Sequence, residues 1–338
     1  MAQNILSIKL RYLGDVLLAT PTWQALKAAY PGARLTVIVN RGTEDILQSN
    51  PHIDEVLSLE RGSLVQQYRF IANIRRRRFD TVVDLTDGDR AALLTWISGA
   101  GVRIGFNAEH RWTGRCYTRI ITSDAGVHRI ERDLSALAPL AIPVFDRIPK
   151  MWLTEEDDAA AGDLLRRLGV QSDKPRVVIQ PGARYWFKAW PSERFAELAD
   201  HVADRYGCQV LVAGSPQEAT LAETVVRQAK HRLVSIAGLS RVRTLAALLK
   251  GSALFVGNDT GAMHIAAAVG TPVVGLFGPS NPMEWGPRGG PAEVMYKGLD
   301  CRDCFHPTCR RAEQNCMKLI TVAEVWAAAE RLLTRRLK

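Results

Sequence analysis

The chain has 338 residues, about the length of two domains of ordinary size. Its composition, 47% hydrophobic and 23% charged, is typical of a globular protein and excludes a disordered, collagen-like or low-complexity chain. The net charge of +9 is uneven, because eleven arginines but only five acidic residues lie between Arg61 and Arg119. The run of four at 75–78 is either the C-terminal end of a helix, where cations suit the helix dipole, or part of a surface for phosphate groups. The two interpretations are compatible. No zinc-finger spacing or RNA-binding signature occurs, so we expect no nucleic-acid partner.

The N-terminal sequence "MAQNILSIKLRYLGDVLLAT" does not have the pattern of a signal peptide. Lys9, Arg11 and Asp15 interrupt what should be an apolar region, and no small-residue cleavage site follows. We therefore expect a cytoplasmic protein. The six cysteines do not form the framework of a disulfide-rich fold.

Short apolar runs alternate with helical patterns in both halves of the chain, and this predicts an α/β protein. Runs that are apolar throughout suit parallel strands covered on both faces. We predict two Rossmann-like, doubly wound domains, 1–150 and 151–321, which face each other across a cleft. The boundary lies near "FDRIPKMWLTEEDD", after which Thr154 and the acids that follow begin a helix. The predicted strands are 5–10, 34–39, 55–59, 81–85 and 102–106, then 176–182, 209–214, 233–238, 254–258 and 273–278.

The loop after the first predicted strand, "KLRYLGDVLLATP", carries a carboxylate where parallel sheets bind ligands. Gly14 makes the turn and Asp15 starts a short helical segment limited by Pro21. Asp15 is either a helix N-cap or a group that removes a proton from an acceptor hydroxyl.

Two loops of the second half carry polar side chains after their strands. Lys188, in "QPGARYWFKAWP", is either a solvated lysine over an aromatic patch or a cation that neutralises a diphosphate with help from Arg184. After the next strand, Glu218 in "GSPQE" is placed to accept hydrogen bonds from ribose hydroxyls.

The uncharged stretch 262–279 raises the question of a membrane span. Gly270-Thr271-Pro272 divides it, so we predict a strand, the loop "NDTG", a helix and a strand instead. The start of that helix is an anion site, to which Thr260, Gly261 and His264 contribute. Asp259 is either the N-cap or a group that accepts hydrogen bonds from a sugar.

Four cysteines near the C-terminus have the spacing C-x2-C-x4-C-x6-C, at Cys301, Cys304, Cys309 and Cys316. Four thiols can bind zinc or an iron–sulfur cluster, but these separations match no standard finger. We favour a structural loop without metal, followed by a terminal helix within 322–338.

Four blocks, in chain order, resemble the bacterial lipopolysaccharide heptosyltransferases of glycosyltransferase family 9. They are "ILSIKLRYLGDVLLATP", "RFDTVVDL…RIGF", "PGARYWFKAWPSERFAEL" and "VGNDTGAMHIAAAVGTPVVGLFGPSNP". The first block most resembles the heptosyltransferase III branch, which adds a side-chain heptose to an inner-core heptose. The resemblance implies a GT-B fold in which the first domain binds the acceptor, the second binds the nucleotide sugar, and the terminal helix crosses back to the first domain.

The resemblance also implies an inverting transfer from ADP-heptose that requires no metal or other cofactor. The partners would be ADP-heptose, the lipopolysaccharide inner core and, peripherally, the surface of the inner membrane. By matching position, Asp15 would be the general base and Lys188 would contact the diphosphate. The implied donor contacts are Gly14, Arg184, Lys188, Glu218, Asp259, Thr260, Gly261 and His264, and the expected acceptor contacts are Arg11, Asp87, Arg90 and Arg103.

Two alternatives stay open. The first alternative to the inner-core transferase is a family 9 transferase with another acceptor: a heptosyltransferase I or II step, a different glycan or a protein. The second is a basic nucleotide-binding module without activity. Asp15 separates these classes, because a protein that only binds needs no carboxylate opposite a phosphate site. A dinucleotide-dependent dehydrogenase is not expected, since no G-x-G-x-x-G follows the first strand.

Overall fold

The computed structural model describes residues 3–60, 62–124, 126–299, 301, 309, 311 and 314–337. The chain divides into two compact units, Met1–Trp152 and Leu153–Lys338. Each unit is a parallel sheet with helices between successive strands, so each buries apolar strands on both faces.

The first unit is built from strand–helix repeats. Its strands are β1 (Asn4–Lys9), β2 (Arg34–Asn40), β3 (Glu55–Leu59), β4 (Thr81–Asp84), β5 (Val102–Phe106) and β6 (Arg119–Ile121). Its α-helices are α1 (Leu13–Leu18), α2 (Thr20–Ala29), α3 (Leu64–Arg76), α4 (Asp89–Ser98) and α5 (Arg129–Ser135). The strands lie in the order β3-β2-β1-β4-β5-β6.

The second unit repeats this arrangement. Its strands are β7 (Arg176–Gln180), β8 (Gln209–Val212), β9 (Val234–Ser235), β10 (Leu254–Asn258), β11 (Val273–Phe277) and β12 (Ala292–Tyr296), in the order β12-β11-β10-β7-β8-β9. Its α-helices are α6 (Glu155–Arg167), α7 (Ser192–Tyr206), α8 (Ala219–Gln228), α9 (Val242–Lys250), α10 (Gly261–Ala268), α11 (Pro282–Trp285), α12 (Cys316–Leu319) and α13 (Val322–Arg336).

Each sheet reverses its strand order between its first strand and that strand's later neighbour, between β1 and β4 and between β7 and β10. The loops at the carboxyl ends of such a pair diverge, which leaves room for a ligand. Three of the loops that the sequence singled out, after β1, β7 and β10, lie at these two points together with the loop after β4 that carries Asp87. The loop of Glu218 follows β8, the next strand along the second sheet.

Helix ends follow the sequence signals. The Thr154 hydroxyl and the Asp157 carboxylate form a capping box at the start of α6, as the sequence predicts. Asp157 is also held by an ion pair with Arg243 of α9, and this pair links the first helix of the unit to its neighbour.

The uncharged stretch 262–279 forms no membrane-spanning helix. It contributes α10 and β11, which are buried on either side of the Gly270–Pro272 turn. Among the described residues, no helix has both the length and the apolar character needed to cross a bilayer.

The terminal helix α13 contributes its apolar face to the core of the second unit. Val325, Ala328 and Leu333 are buried in one cluster with Trp190 and Phe195. The helix packs on α7 and on the sheet of its own unit. A crossing back to the first unit stays a prediction.

Candidate functional site

Asn258, the last residue of β10, ties together the two loops at the reversal point of the second sheet. Its side chain is buried, and Nδ2 donates to the carbonyl oxygens of Pro181 (2.9 Å) and Gly182 (3.1 Å). The amide of Trp190 donates to Asn258 Oδ1 at 3.0 Å. Asn258 therefore fixes both ends of the loop that carries Lys188. Sequence reasoning did not single out Asn258, although a lone amide at the end of an apolar strand is a usable signal.

Lys188 and Asp259 form an ion pair at this point. Lys188 Nζ lies 2.9 Å from Asp259 Oδ2, and the two side chains are 24% and 10% exposed. The pair is thus partly open to solvent. The sequence left open whether Asp259 is the N-cap of α10; the N-cap is Thr260.

The N-terminus of α10 lies beside that pair. The Thr260 hydroxyl does not cap the helix, because it donates instead to Gln180 Oε1 at 2.9 Å across the sheet reversal. The first backbone amides, starting at Gly261, therefore receive no side-chain cap and keep the positive end of the helix dipole. His264 lies one turn further on and is buried.

Glu218 lies against the loop after β7. The amide of Ser215 donates to Glu218 Oε2 at 2.7 Å, which leaves the second carboxylate oxygen beside Gly182. A Cβ at Gly182 would lie 2.0 Å from Glu218 Oε1, so only glycine allows the carboxylate to occupy this position. Gly182 thus belongs to the site, a role that the sequence alone did not assign.

Arg184 is on the exposed side of the same loop. Its guanidinium lies 5.5 Å from the centre of the Tyr185 ring, and that ring stacks on Phe187. The predicted donor contacts Lys188, Asp259, Thr260 and Gly261 therefore meet at one point, while Arg184 lies on the aromatic patch at its rim.

In the first unit, a buried ion pair fills the point where the sheet reverses. Lys9 Nζ lies 2.6 Å from Asp133 Oδ2 and donates to the Leu85 carbonyl at 3.1 Å. Both side chains are buried. Burial raises the pKa of Asp133, although the charges of Lys9 and Arg132 act in the opposite direction. No local pattern indicated this pair, because its members are 124 residues apart in the chain.

Asp15 is in the first turn of α1, behind the buried Gly14. The N-cap is Tyr12, so Asp15 is not the simple cap that was one of the two alternatives. Among the described residues, no hydrogen bond or ion pair holds its half-buried carboxylate. Its negative charge contributes to the raised pKa of Asp133, which places Asp15 close to the buried ion pair.

Asp87 is the centre of an arginine cluster at the carboxyl end of β4. Its two carboxylate oxygens accept from Arg111 Nη2 (2.9 Å) and Arg132 Nη2 (2.8 Å). The Asp87 carbonyl accepts from Arg11 Nη2 at 3.3 Å. Asp87 has a positive φ of 56°, and Arg111 Nη2 donates to both its carboxylate (2.9 Å) and its carbonyl (3.0 Å). Its carboxylate therefore positions guanidinium groups in this structure, whereas Asp87 was expected to contact the acceptor.

A surface cavity of about 720 Å³ opens beside this cluster. Arg11, Arg90 and Arg111 line it, and Arg90 Nη2 donates to the Glu60 carbonyl on the other side at 3.3 Å. Four acidic residues also line the cavity and pair with two of its arginines: Glu60 with Arg41, and Asp87, Asp89 and Glu109 with Arg111. Arg11 and Arg90 are held by backbone carbonyl oxygens instead. Arg111 is one of the arginines of 61–119 for which the sequence offered a phosphate surface, but its pairing with Asp87 was not predicted. Arg132 lies outside that range and was missed.

Arg103 lies apart from this group. It is near the amino end of β5, and its guanidinium donates to the carbonyl oxygens of Ala100 (2.6 Å) and Cys116 (2.7 Å). The structure therefore brings together Arg11, Asp87 and Arg90 of the predicted acceptor contacts, but not Arg103.

The cysteine segment falls partly outside the described residues, since Cys304 is not among them. Within the residues that are described, no three His, Cys, Asp or Glu side chains are grouped as metal ligands.

Comparison with known proteins gives one consistent result. The sequence profile of glycosyltransferase family 9 (heptosyltransferase) matches residues 67–314. Lipopolysaccharide heptosyltransferase 3 of Escherichia coli K12 is 32% identical, with 96% of each chain covered. A family 9 glycosyl transferase structure from Veillonella parvula superposes with a TM-score of 0.85 at 25% identity, covering 98% of this chain and 97% of that one. The structure of E. coli ADP-heptose lps heptosyltransferase II superposes with a TM-score of 0.82 at 22% identity, covering 99% and 100%. The two doubly wound α/β units of the predicted GT-B fold are confirmed.

Proposed function

Since this chain belongs to glycosyltransferase family 9, the heptosyltransferases, we propose that it moves a heptose from ADP-heptose to a heptose of the lipopolysaccharide inner core. The Lys188–Asp259 pair beside the uncapped N-terminus of α10 carries the proposal. It sets a cation and amide donors for a diphosphate next to a carboxylate that suits sugar hydroxyls. A phosphate site alone would gain nothing from that carboxylate.

On the donor side, we assign the diphosphate to Lys188, Thr260 and the amides from Gly261 onward, with His264 behind them and Arg184 at the rim. Asp259 accepts from heptose hydroxyls, and Glu218 accepts from the ribose with the oxygen that faces Gly182. Lys188 and the helix end stabilise negative charge as it grows on departing ADP. Because they supply positive charge, we propose that ADP-heptose is needed but no further cofactor.

On the acceptor side, we assign the cavity of the first unit to the phosphorylated, acidic sugars of the inner core. Arg11, Arg90 and Arg111 face it, and guanidinium groups bind phosphate and carboxylate in a bidentate manner. Asp87 orients Arg11 and Arg111 and does not itself bind the sugar, and the Glu60 carbonyl holds Arg90. Arg103 is not part of this proposed site.

Asp15 is the proposed general base. The acceptor hydroxyl oxygen attacks the anomeric carbon of the heptose while the bond from that carbon to the ADP oxygen breaks. The hydroxyl proton passes to Asp15, and ADP leaves with the bonding electrons. Attack opposite the leaving group inverts the anomeric centre. We further propose that the reaction takes place at the cytoplasmic face of the inner membrane, where a lipid-borne core is presented.

The test is a transfer assay with ADP-heptose and two truncated core acceptors, one with a single heptose and one with two, read by mass spectrometry. Transfer only to the two-heptose acceptor supports the heptosyltransferase 3 reaction. Transfer to the single-heptose acceptor moves the assignment to an earlier step. No transfer, with ADP-heptose still bound, rejects a core acceptor and favours another glycan or a protein.

Asp15→Ala tests the base. It should abolish transfer and leave ADP affinity within about twofold, whereas the exposed Asp173→Ala should change neither. Equal loss of transfer and ADP binding in Asp15→Ala would remove Asp15 from the role of base. Transfer that is undetectable in the parent protein with core, other glycan and protein acceptors alike, with normal ADP binding, would favour the binding module.

A further inference from the structure

Helix α3 exposes apolar side chains that its own unit does not cover. Ile74 is the one residue of this 13-residue helix that is buried. Leu64, Val65 and Tyr68 are 84%, 59% and 72% exposed. The helix is nevertheless well started, because Ser63 and Gln66 form a capping box. Its exposed side therefore belongs to a formed helix and not to a frayed end.

A groove of about 1080 Å³ continues this surface towards α4. Tyr68, Arg75 and Arg76 line it from α3, and Trp96 of α4, 60% exposed, lines it from the other side. Leu64, Tyr68 and Arg75 are spaced as one stripe along the helix. We name this surface the α3–α4 face, made of Leu64, Val65, Tyr68, Arg75, Arg76 and Trp96.

The charge on this face is positive only. From Gly62 to Phe79 the sequence has five arginines and no acidic residue. Among the described residues, Arg77 is the member of that group that forms an ion pair, and it does so with Glu55. Within the part of the chain that the structure describes, no acidic side chain pairs with Arg75 or Arg76, so an anionic surface can neutralise their charges.

Apolar, aromatic and basic side chains on one helical surface form the pattern of an interfacial helix. Aromatic rings such as those of Tyr68 and Trp96 suit the headgroup region, and the long arginine side chains reach phosphates while their stems lie on apolar surface. A protein partner would need acidic side chains placed opposite these arginines. An anionic bilayer supplies both the negative charge and an apolar region for Leu64 and Val65. We infer that the α3–α4 face binds the surface of a membrane that contains anionic phospholipid.

The position of the face gives it a purpose, and this step rests on the proposed function. Leu59 and Glu60 line the cavity assigned to the acceptor, and α3 begins only a few residues later, at the same edge of the sheet. Leu64 and Val65 therefore lie at the end of the helix nearer the cavity, and Arg75 and Arg76 lie at the other end. A membrane held there brings the sugar of a lipid-borne acceptor to Arg11 and Arg90.

The test is co-sedimentation of the full chain with vesicles of phosphatidylcholine alone or with added phosphatidylglycerol. We expect binding only with the anionic lipid, and weaker binding as salt rises. Arg75→Gln with Arg76→Gln should weaken it about 10- to 30-fold. The matched control is Arg335→Gln with Arg336→Gln, which removes the same charge from the last turn of α13. Equal weakening by the control pair would show general charge attraction and overturn the inference.

A second pair of variants tests the apolar part. Leu64→Ser should weaken vesicle binding, and Phe145→Ser, which changes another exposed apolar residue, should not. Equal binding to both kinds of vesicle, or none, overturns the proposal. A dimer in light scattering that Leu64→Ser dissociates would instead assign the face to a second copy of the chain.

The transfer assay with a soluble, acyl-free acceptor separates this inference from the proposed function. The Arg75/Arg76 variant should transfer to that acceptor at the parent rate and lose activity only on acceptor embedded in vesicles. Vesicle binding without any transfer would reject the function and keep the membrane face. Transfer without vesicle binding would do the reverse.

Discussion

Asp84 provides the sharpest test of the electrostatics of the first unit. It ends β4 and is completely buried, with Tyr117 Oη donating to Oδ2 at 2.6 Å and the Thr86 amide to Oδ1 at 2.7 Å. Burial raises the pKa of this carboxyl from 3.8 to about 6, although both hydrogen bonds act to lower it. The loop that carries Asp87 starts directly after Asp84, so a change in the ionisation of Asp84 is expected to affect the proposed acceptor site.

The sign of the effect follows from the direction of the pKa shift. The folded protein holds the Asp84 proton more tightly than the unfolded chain, so the free energy of unfolding decreases as pH rises from about 4 through about 6. A shift of the Asp84 pKa by about 2 units lowers the free energy of unfolding by about 3 kcal/mol above pH 7. Near pH 5 the decrease is about half of that. Below the unfolded pKa the decrease disappears.

Asp84→Asn removes the ionisation and keeps the contacts. The amide oxygen can accept from Thr86, and the amide nitrogen can donate to the Tyr117 hydroxyl, which is also an acceptor. The free energy of unfolding of the variant minus that of the parent should be about 1–2 kcal/mol larger at pH 8 than at pH 5. Urea unfolding followed by tryptophan fluorescence measures this, and the change should be confined to the transition of the first unit. A difference that does not vary with pH, or one that is larger at pH 5, would refute the reasoning, and Asp173→Asn is the exposed control.

Three other substitutions test the two sheet reversals. Lys9→Met should lower the free energy of unfolding by about 3 kcal/mol, because it leaves the buried Asp133 carboxylate with only the more distant Arg132, at 3.9 Å; adding Asp133→Leu should recover part of that loss in the same urea experiment. Gly182→Ala should fold normally but displace the flexible Glu218 carboxylate, so calorimetry should show ADP bound about tenfold more weakly; unchanged affinity would contradict the assignment of Glu218. Asn258→Ala removes three buried hydrogen bonds, so it should lower the free energy of unfolding by about 3 kcal/mol or more and also weaken ADP binding. A decrease in stability without weaker ADP binding, or the reverse, would contradict the role of Asn258 in holding the loop of Lys188.

Much of the fold could be predicted because the buried strands carry their own signal. Runs such as residues 34–39 and 254–258 are apolar throughout and match β2 and β10 closely. The edge strands β6 and β12 were missed because they lack this signal, whereas the edge strands β3 and β9 lie within predicted runs. Arg119–Ile121 is short and largely exposed, and Ala292–Tyr296 has no fully buried residue, so neither forms an apolar run.

The site was harder to predict because its contacts join distant segments. The loop chemistry pointed to Lys188 and Asp259 separately, but their ion pair spans 71 residues and depends on β7 lying next to β10. Asp87 shows the same difficulty, since its arginine partners are 24 and 45 residues away. A local pattern shows which chemistry a side chain offers, but the sheet order decides which partner uses it.

The two units show how one topology supports two kinds of site. Lys9 ends β1 and Gln180 ends β7, and each side chain reaches the loop after the neighbouring strand at the sheet reversal. In the first unit this side chain is the buried ammonium of Lys9, which requires the Asp133 carboxylate as a counter-charge. The ion pair therefore fills the sheet reversal. In the second unit the side chain is a neutral amide that needs only the Thr260 hydroxyl, so the charged pair lies further out, partly in solvent. The proposed donor site can therefore exchange its internal ion pair for a ligand, while the proposed acceptor site must use arginines on the rim.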